Sequence, residues 1–234
     1  MNQLFISHDP QLHADLSDLL ELLSIALTNP NREIAAALVD GSYFADLNAC
    51  LSGIESLIEE HSLLTVHAQL ADCAETLAAQ DSDTLYHSIN QEFTRLFIAP
   101  RREQMPLYES LIVHRGDKKA SMFINPTCMH CEQEYRKHGF PFPEKGKTPG
   151  DHVAIELRYL AFLISSRIHA LAAQNEPELA AVDALILDFT SAHIKRWLHS
   201  FADELEHTTI HPFYRAIAKI CLCIEPLLLN AAND

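Results

Sequence analysis

The chain has 234 residues, of which 48% are apolar and 21% charged, and its 17 Lys plus Arg stand against 32 Asp plus Glu for a formal net charge of −15. A chain of this length buries roughly 70% of its unfolded surface, so a sizeable core is expected and wholesale disorder is excluded. The acidic field repels phosphate backbones and anionic headgroups, which makes nucleic acid and membrane surfaces poor partners, and it attracts basic peptides in a salt-dependent way.

The opening "MNQLFISHDPQLHADL" lacks a basic segment followed by an apolar one, and no run approaches the roughly 18 apolar residues of a membrane span. The expectation is a cytoplasmic protein without stable membrane insertion. Its six cysteines, Cys50, Cys73, Cys128, Cys131, Cys221 and Cys223, lie in periodic apolar segments, where reduced thiols are the default.

Apolar residues recur with helical spacing along almost the whole chain, and no run alternates like a strand, so the fold class is all-α. Leu12, Leu16, Leu19, Leu20, Leu23 and Leu27 trace one face of a first helix, started by Asp9-Pro10 and stopped by Asn29-Pro30. A short second helix ends at Gly41. Ser42 and Ser82 are expected to cap two later helices, with "SLLTVHAQLADCAETLAAQ" forming another between them.

The pattern breaks at Ala99-Pro100, and Pro100 to Pro126 reads as a long loop of the kind that often carries function. A short helix from Thr127 is closed by Gly139. "FPFPEKGKTPG" is then a second connector, and residues 140–150 can serve as a hinge. Three long helices follow: Pro149 to about Gln174, Pro177 to about Glu206 and Pro212 to about Leu229. The 234 residues are expected to form a single helical-bundle domain, its parts 1–140 and 149–234 joined by that hinge. Exchange of the C-terminal helices there would give a domain-swapped homodimer in place of a monomer.

Thr148-Pro149-Gly150-Asp151 has the form of a capping box with Asp in place of Glu. Asp151 reads equally as a helix cap or as part of a recognition surface. His152, Glu156, Tyr159 and Leu163 share a partly polar face of the following helix, whereas Val153, Leu157, Leu160, Ala161 and Ile164 should pack inward. His152 and Glu156 have no nucleophile at fixed spacing, which argues against acid–base catalysis.

"CMHC", Cys128 to Cys131, offers two thiols, and the chain has 14 histidines. A metal-binding or metal-delivery protein is therefore the alternative reading, although no second ligand pair follows at the usual distance. Gly146-Lys147-Thr148 has the ending of a phosphate-binding loop but lacks its leading glycine. Trp197, Phe201, Phe213 and Tyr214 are in phase with apolar faces and read as core, and "RR" and "DKK" as solvated surface.

"EFTRLFIAP", "PLYES", "EQEYRKHGF", "TPGDHVAIELRYLAFL" and "FYRAIAKI", in that order between residues 92 and 220, resemble the TorD/DmsD family. The most specific piece is P-x-D-H-x-x-x-E-L, matched by Pro149, Asp151, His152, Glu156 and Leu157. The resemblance implies an all-α cytoplasmic chaperone, not an enzyme and without a cofactor of its own. It would bind the twin-arginine leader and the immature catalytic subunit of an exported molybdenum oxidoreductase, assist cofactor insertion and delay export. By position, the leader-reading residues fall on Tyr108, Glu109, Ser110, Asp151, His152 and Glu156. Where several members carry Trp-Gly-Ser, this chain has Tyr108-Glu109-Ser110.

Overall fold

The computed structural model describes residues 7–98, 105–115, 125–142 and 148–230. The "RR" and "DKK" patches, Gly146-Lys147 and much of the two connectors lie outside them. Eleven α-helices are described: α1 (Pro10–Ala26), α2 (Arg32–Val39), α3 (Ser42–Gly53), α4 (Glu60–Ala78), α5 (Ser82–Phe93), α6 (Glu109–Val113), α7 (Pro126–Lys137), α8 (Val153–Ala172), α9 (Glu176–Phe189), α10 (Lys195–Thr208) and α11 (Pro212–Asn230). A π-helical turn, Thr94–Ile98, extends α5, and another, Thr190–Ile194, joins α9 to α10 without a break. No strand is found among the described residues.

Side-chain caps set many of the helix starts. Asp9 accepts from the Gln11 amide, Asn31 from Ile34, Asp81 from Thr84 and Asn125 from Thr127, each at 2.9 Å. Such caps contribute about 1 kcal/mol each. Ser42 and Ser82 are therefore first helical residues rather than caps, which are Gly41 and Asp81. Gly41 and Gly139 take φ values of +82° and +72°, the left-handed region where a side chain is strained, and Gly139 closes α7 as its sequence position suggests.

Helix α8 is the central element. It packs on α1 along one side and on α9 along another, while α10 packs on α11 and α11 reaches α4 and α1. One continuous core runs from Leu12 to Leu228 and so includes both sides of the 140–150 connector. Leu16, Leu19, Leu20 and Leu23 are fully enclosed in it, each worth about 2 kcal/mol relative to exposure. The second, partly polar face expected on α8 is not a surface: His152, Glu156, Tyr159 and Leu163 are all buried. Neighbouring elements cover that side of α8, and its solvent-facing stripe runs instead through Arg158, His169 and Ala172.

Buried polar groups tie the elements together. Arg167 of α8 donates to Asp183 of α9 at 2.7 Å and contacts His13 of α1, whose pKa burial lowers. Glu92, from "EFTRLF", accepts two hydrogen bonds from Arg95, one from the Thr209 hydroxyl and one from the Ile210 amide. It thereby pins α5 to the turn between α10 and α11. All six cysteines are free thiols.

Candidate functional site

Two segments far apart in sequence are paired through their backbones. The Glu109 amide donates to the Asp151 carbonyl at 2.8 Å, and the Val153 amide to the Leu107 carbonyl at 2.9 Å. Tyr108 and His152 form an antiparallel bridge between these bonds, their rings edge to face at 5.3 Å. Asp151 Oδ2 accepts from the Ser110 amide at 3.2 Å, so its side chain caps the first turn of α6. The long-loop expectation is corrected here, because residues 109–113 are helical and held from across the fold.

The expected capping box is also corrected. Helix α8 starts at Val153 rather than Pro149, and its cap is His152, whose Nδ1 accepts from the Ala154 amide at 3.2 Å. Asp151 is committed to α6 instead. Gly150 permits the approach: a Cβ there would stand 2.6 Å from Glu132 Cγ, and its carbonyl accepts from the Tyr135 hydroxyl at 2.9 Å.

Beneath this joint lies a compact buried cluster of four groups. Glu109 (α6), Cys131 (α7), Glu156 (α8) and His193 (the π-helical turn) place one side-chain N, O or S atom each within 4.8 Å of all the others. The first three are 0% exposed and His193 2%. His193 Nδ1 is 2.6 Å from Glu109 Oε2 and 3.4 Å from Cys131 Sγ, which in turn is 4.0 Å from Glu156 Oε1.

A surrounding layer of groups orients the cluster. Trp197 Nε1 donates to Glu156 Oε2 at 2.6 Å, Arg196 Nη1 pairs with Glu109 Oε1 at 2.8 Å, and His130 Nδ1 is 2.7 Å from His193 Nε2. Burial, reinforced by the charge of nearby Glu109, holds the Glu156 carboxyl well above its ordinary pKa. Burial, with Glu156 and Glu109 beside it, likewise pushes the Cys131 thiol up and keeps it protonated. Burial lowers His152 to about 4, so it is neutral.

The six residues expected to read a leader thus meet in one place, but not on one surface. Glu109, Ser110, Asp151 and Glu156 are enclosed, His152 is nearly so, and Tyr108 is half-buried at the rim. Of the CxxC pair only Cys131 joins the cluster. Cys128 faces Glu132 at 3.7 Å, and burial raises its pKa to about 11. Residues 193, 196 and 197 were missed as a site because their partners are distant in sequence and a regular helical count does not foresee the π-helical turn that re-aims His193. The available signal was a histidine four residues before the chain's one tryptophan.

On its other side α6 borders an open cleft of about 600 Å³, where Ile112 and Arg115 face His199, Asp203, Glu204 and His207 of α10. Arg115 and Glu204 pair across it at 2.7 Å. The cleft offers two carboxylates beside an apolar side chain.

Residues 41–203 match the family model described as nitrate reductase delta subunit. The chain is 24% identical over 191 residues to the chaperone protein TorD of Vibrio cholerae O395, covering 82% of this chain and 81% of that one. It is 22% identical over 138 residues, 59% of each chain, to a Haemophilus influenzae protein named "Probable Tat proofreading chaperone DmsD". Among solved structures, a protein from Archaeoglobus fulgidus assigned to redox enzyme maturation aligns with a TM-score of 0.47 at 20% identity, over 87% of this chain and 92% of the other.

Proposed function

This chain belongs to the nitrate reductase delta subunit family, and we propose that, like the relatives named as chaperones, it acts as a chaperone in the maturation of an exported molybdenum oxidoreductase rather than as an enzyme. Its client features are a twin-arginine leader and the immature catalytic subunit. In this reading the protein holds the subunit while cofactor is inserted and delays export until that step is complete.

The observation that carries the reading is the placement of α6. One side of this short helix is fixed by Asp151 and Glu109 to the bundle, and the other opens on the cleft with Asp203 and Glu204. A leader pairs a basic stretch with a moderately apolar one, so it needs carboxylates beside apolar surface. In the proposed complex the leader's guanidinium groups compete with Arg115 for Glu204, and Ile112 and the rim residue Tyr108 supply apolar contact. Glu109, Ser110, Asp151, His152 and Glu156 set the position of α6. The net charge of −15 adds long-range attraction.

Photo-crosslinking tests the placement. A synthetic leader carrying a photoreactive residue beside its arginine pair is expected to label Tyr108–Arg115 and α10, and to lose that labelling when both arginines become glutamine. Labelling confined to other helices, or indifferent to the arginines, contradicts it. Exchange of α8–α11 at the 140–150 connector is proposed as the route to any dimer, and gel filtration distinguishes it from a monomer.

A further inference from the structure

We propose that Glu109, Cys131, Glu156 and His193 form a closed structural binding site for one zinc-class divalent cation, which cross-links α6, α7, α8 and the π-helical turn. This inference is independent of the leader reading. A mixed set of one sulfur, one imidazole nitrogen and two carboxylate oxygens suits a borderline metal in four-coordinate geometry, Zn²⁺ above all. Zinc bonds of about 2.0–2.3 Å place tetrahedral donors roughly 3.3–3.8 Å apart. Here the donor atoms already lie within 4.8 Å of one another, so side-chain adjustments of about an ångström would close the shell.

The orienting layer is what separates this cluster from a chance gathering of polar groups. Metal ligands are characteristically held by a partner on their other polar atom. Two ligands have one by hydrogen bond, Trp197 on Glu156 Oε2 and His130 on His193 Nε2, and Arg196 lies within ion-pair distance of Glu109 Oε1 at 2.8 Å. These leave Glu156 Oε1 and His193 Nδ1 turned toward Cys131 Sγ, and Glu109 Oε2 against His193 Nδ1. Ligation through Nδ1 makes Nε2–H a donor to His130 Nδ1. Carboxylates buried this deeply are otherwise costly, because an interior charge requires compensation.

A dication bound to two carboxylates, a thiolate and a neutral imidazole leaves one negative charge, which the guanidinium of Arg196 beside Glu109 offsets. The half-exposed flank of α7, with His130 at the surface over His193, gives the route of entry.

The test uses the full, untagged chain refolded in the presence of Zn²⁺ or Co²⁺ and then dialysed. The expected result is one retained Zn²⁺ per chain and, with Co²⁺, the intense visible bands of a four-coordinate ion plus a thiolate charge-transfer band. Cys131→Ser abolishes the charge-transfer band while Cys128→Ser keeps it. His130→Ala, at an exposed position that leaves the core intact, weakens Zn²⁺ binding about 10-fold or more in competition with a chromophoric chelator. Folded protein that retains no metal, or a charge-transfer band lost in Cys128→Ser and kept in Cys131→Ser, overturns the proposal.

Discussion

The indole N–H of Trp197 donates to Glu156 Oε2 at 2.6 Å, with both side chains wholly buried. The bond joins α10 to α8 and sets which carboxyl oxygen faces the cluster. Trp197→Phe leaves that oxygen without a donor, at a cost of about 1–3 kcal/mol. Chemical denaturation measures it. The paired variant Trp197→Phe/Glu156→Leu is expected to lose less than the sum of the two single changes, since neither partner is then stranded.

Asp151 is the side chain on which the joint depends. Asp151→Ala removes the acceptor for the Ser110 amide and is expected to cost about 1–3 kcal/mol. Its local signature is faster hydrogen exchange at the amides of residues 109–113, with the α1 and α8 amides unchanged. Asp151→Asn keeps an acceptor oxygen and should fall between the two.

Gly150 admits no side chain as the fold stands. Gly150→Ala sets a Cβ 2.6 Å from Glu132 Cγ, with an expected loss of about 1–3 kcal/mol. Because the clash is with one side chain, Glu132→Ala in the same molecule should restore much of that loss, read as a rise in melting temperature.

Stability should fall in acid in two windows. Burial lowers His152 to about 4, against an ordinary value of 6.5, so its contribution is present above 6.5 and is lost as pH falls toward 4. Burial would raise the Glu92 carboxyl, but the hydrogen bonds from Arg95, Thr209 and Ile210 prevail and hold it at about 2, below its ordinary 4.5. That contribution is present above 4.5 and lost between 4.5 and 2. The stability difference between the native chain and Glu92→Gln should therefore shrink as pH falls through the lower window, as urea titrations at several pH values would show.

Most of the helices could be read from the leucine spacing: the whole face from Leu12 to Leu27 is buried, as are Trp197, Phe201, Phe213 and Tyr214. Periodicity reports which residues face a core, and it does so well for long helices. It does not report partners from other helices. Glu156 has the spacing of a solvated face, yet it is enclosed because α6, α7 and α10 cover that side of α8. Thr148 has the form of a cap, yet Asp151 is drawn to Ser110. The five residues of α6 are too few to show a helical period, and the π-helical turn that aims His193 breaks the period on which the reading relies. The site was therefore legible as the right segments, 108–110 and 151–156, but not as a buried joint.

Calorimetric titration with a synthetic twin-arginine leader tests the proposed capture beside α6. Binding is expected to weaken about 10-fold or more when the arginine pair is replaced, and again on raising salt, because exposed charge pairs are screened. Glu204→Gln and Asp203→Asn, at the surface and outside the core, should lower affinity without lowering the melting temperature. Binding that is indifferent to the arginines, to salt and to both substitutions, or no binding by protein shown to be folded, would rule out leader capture at α6.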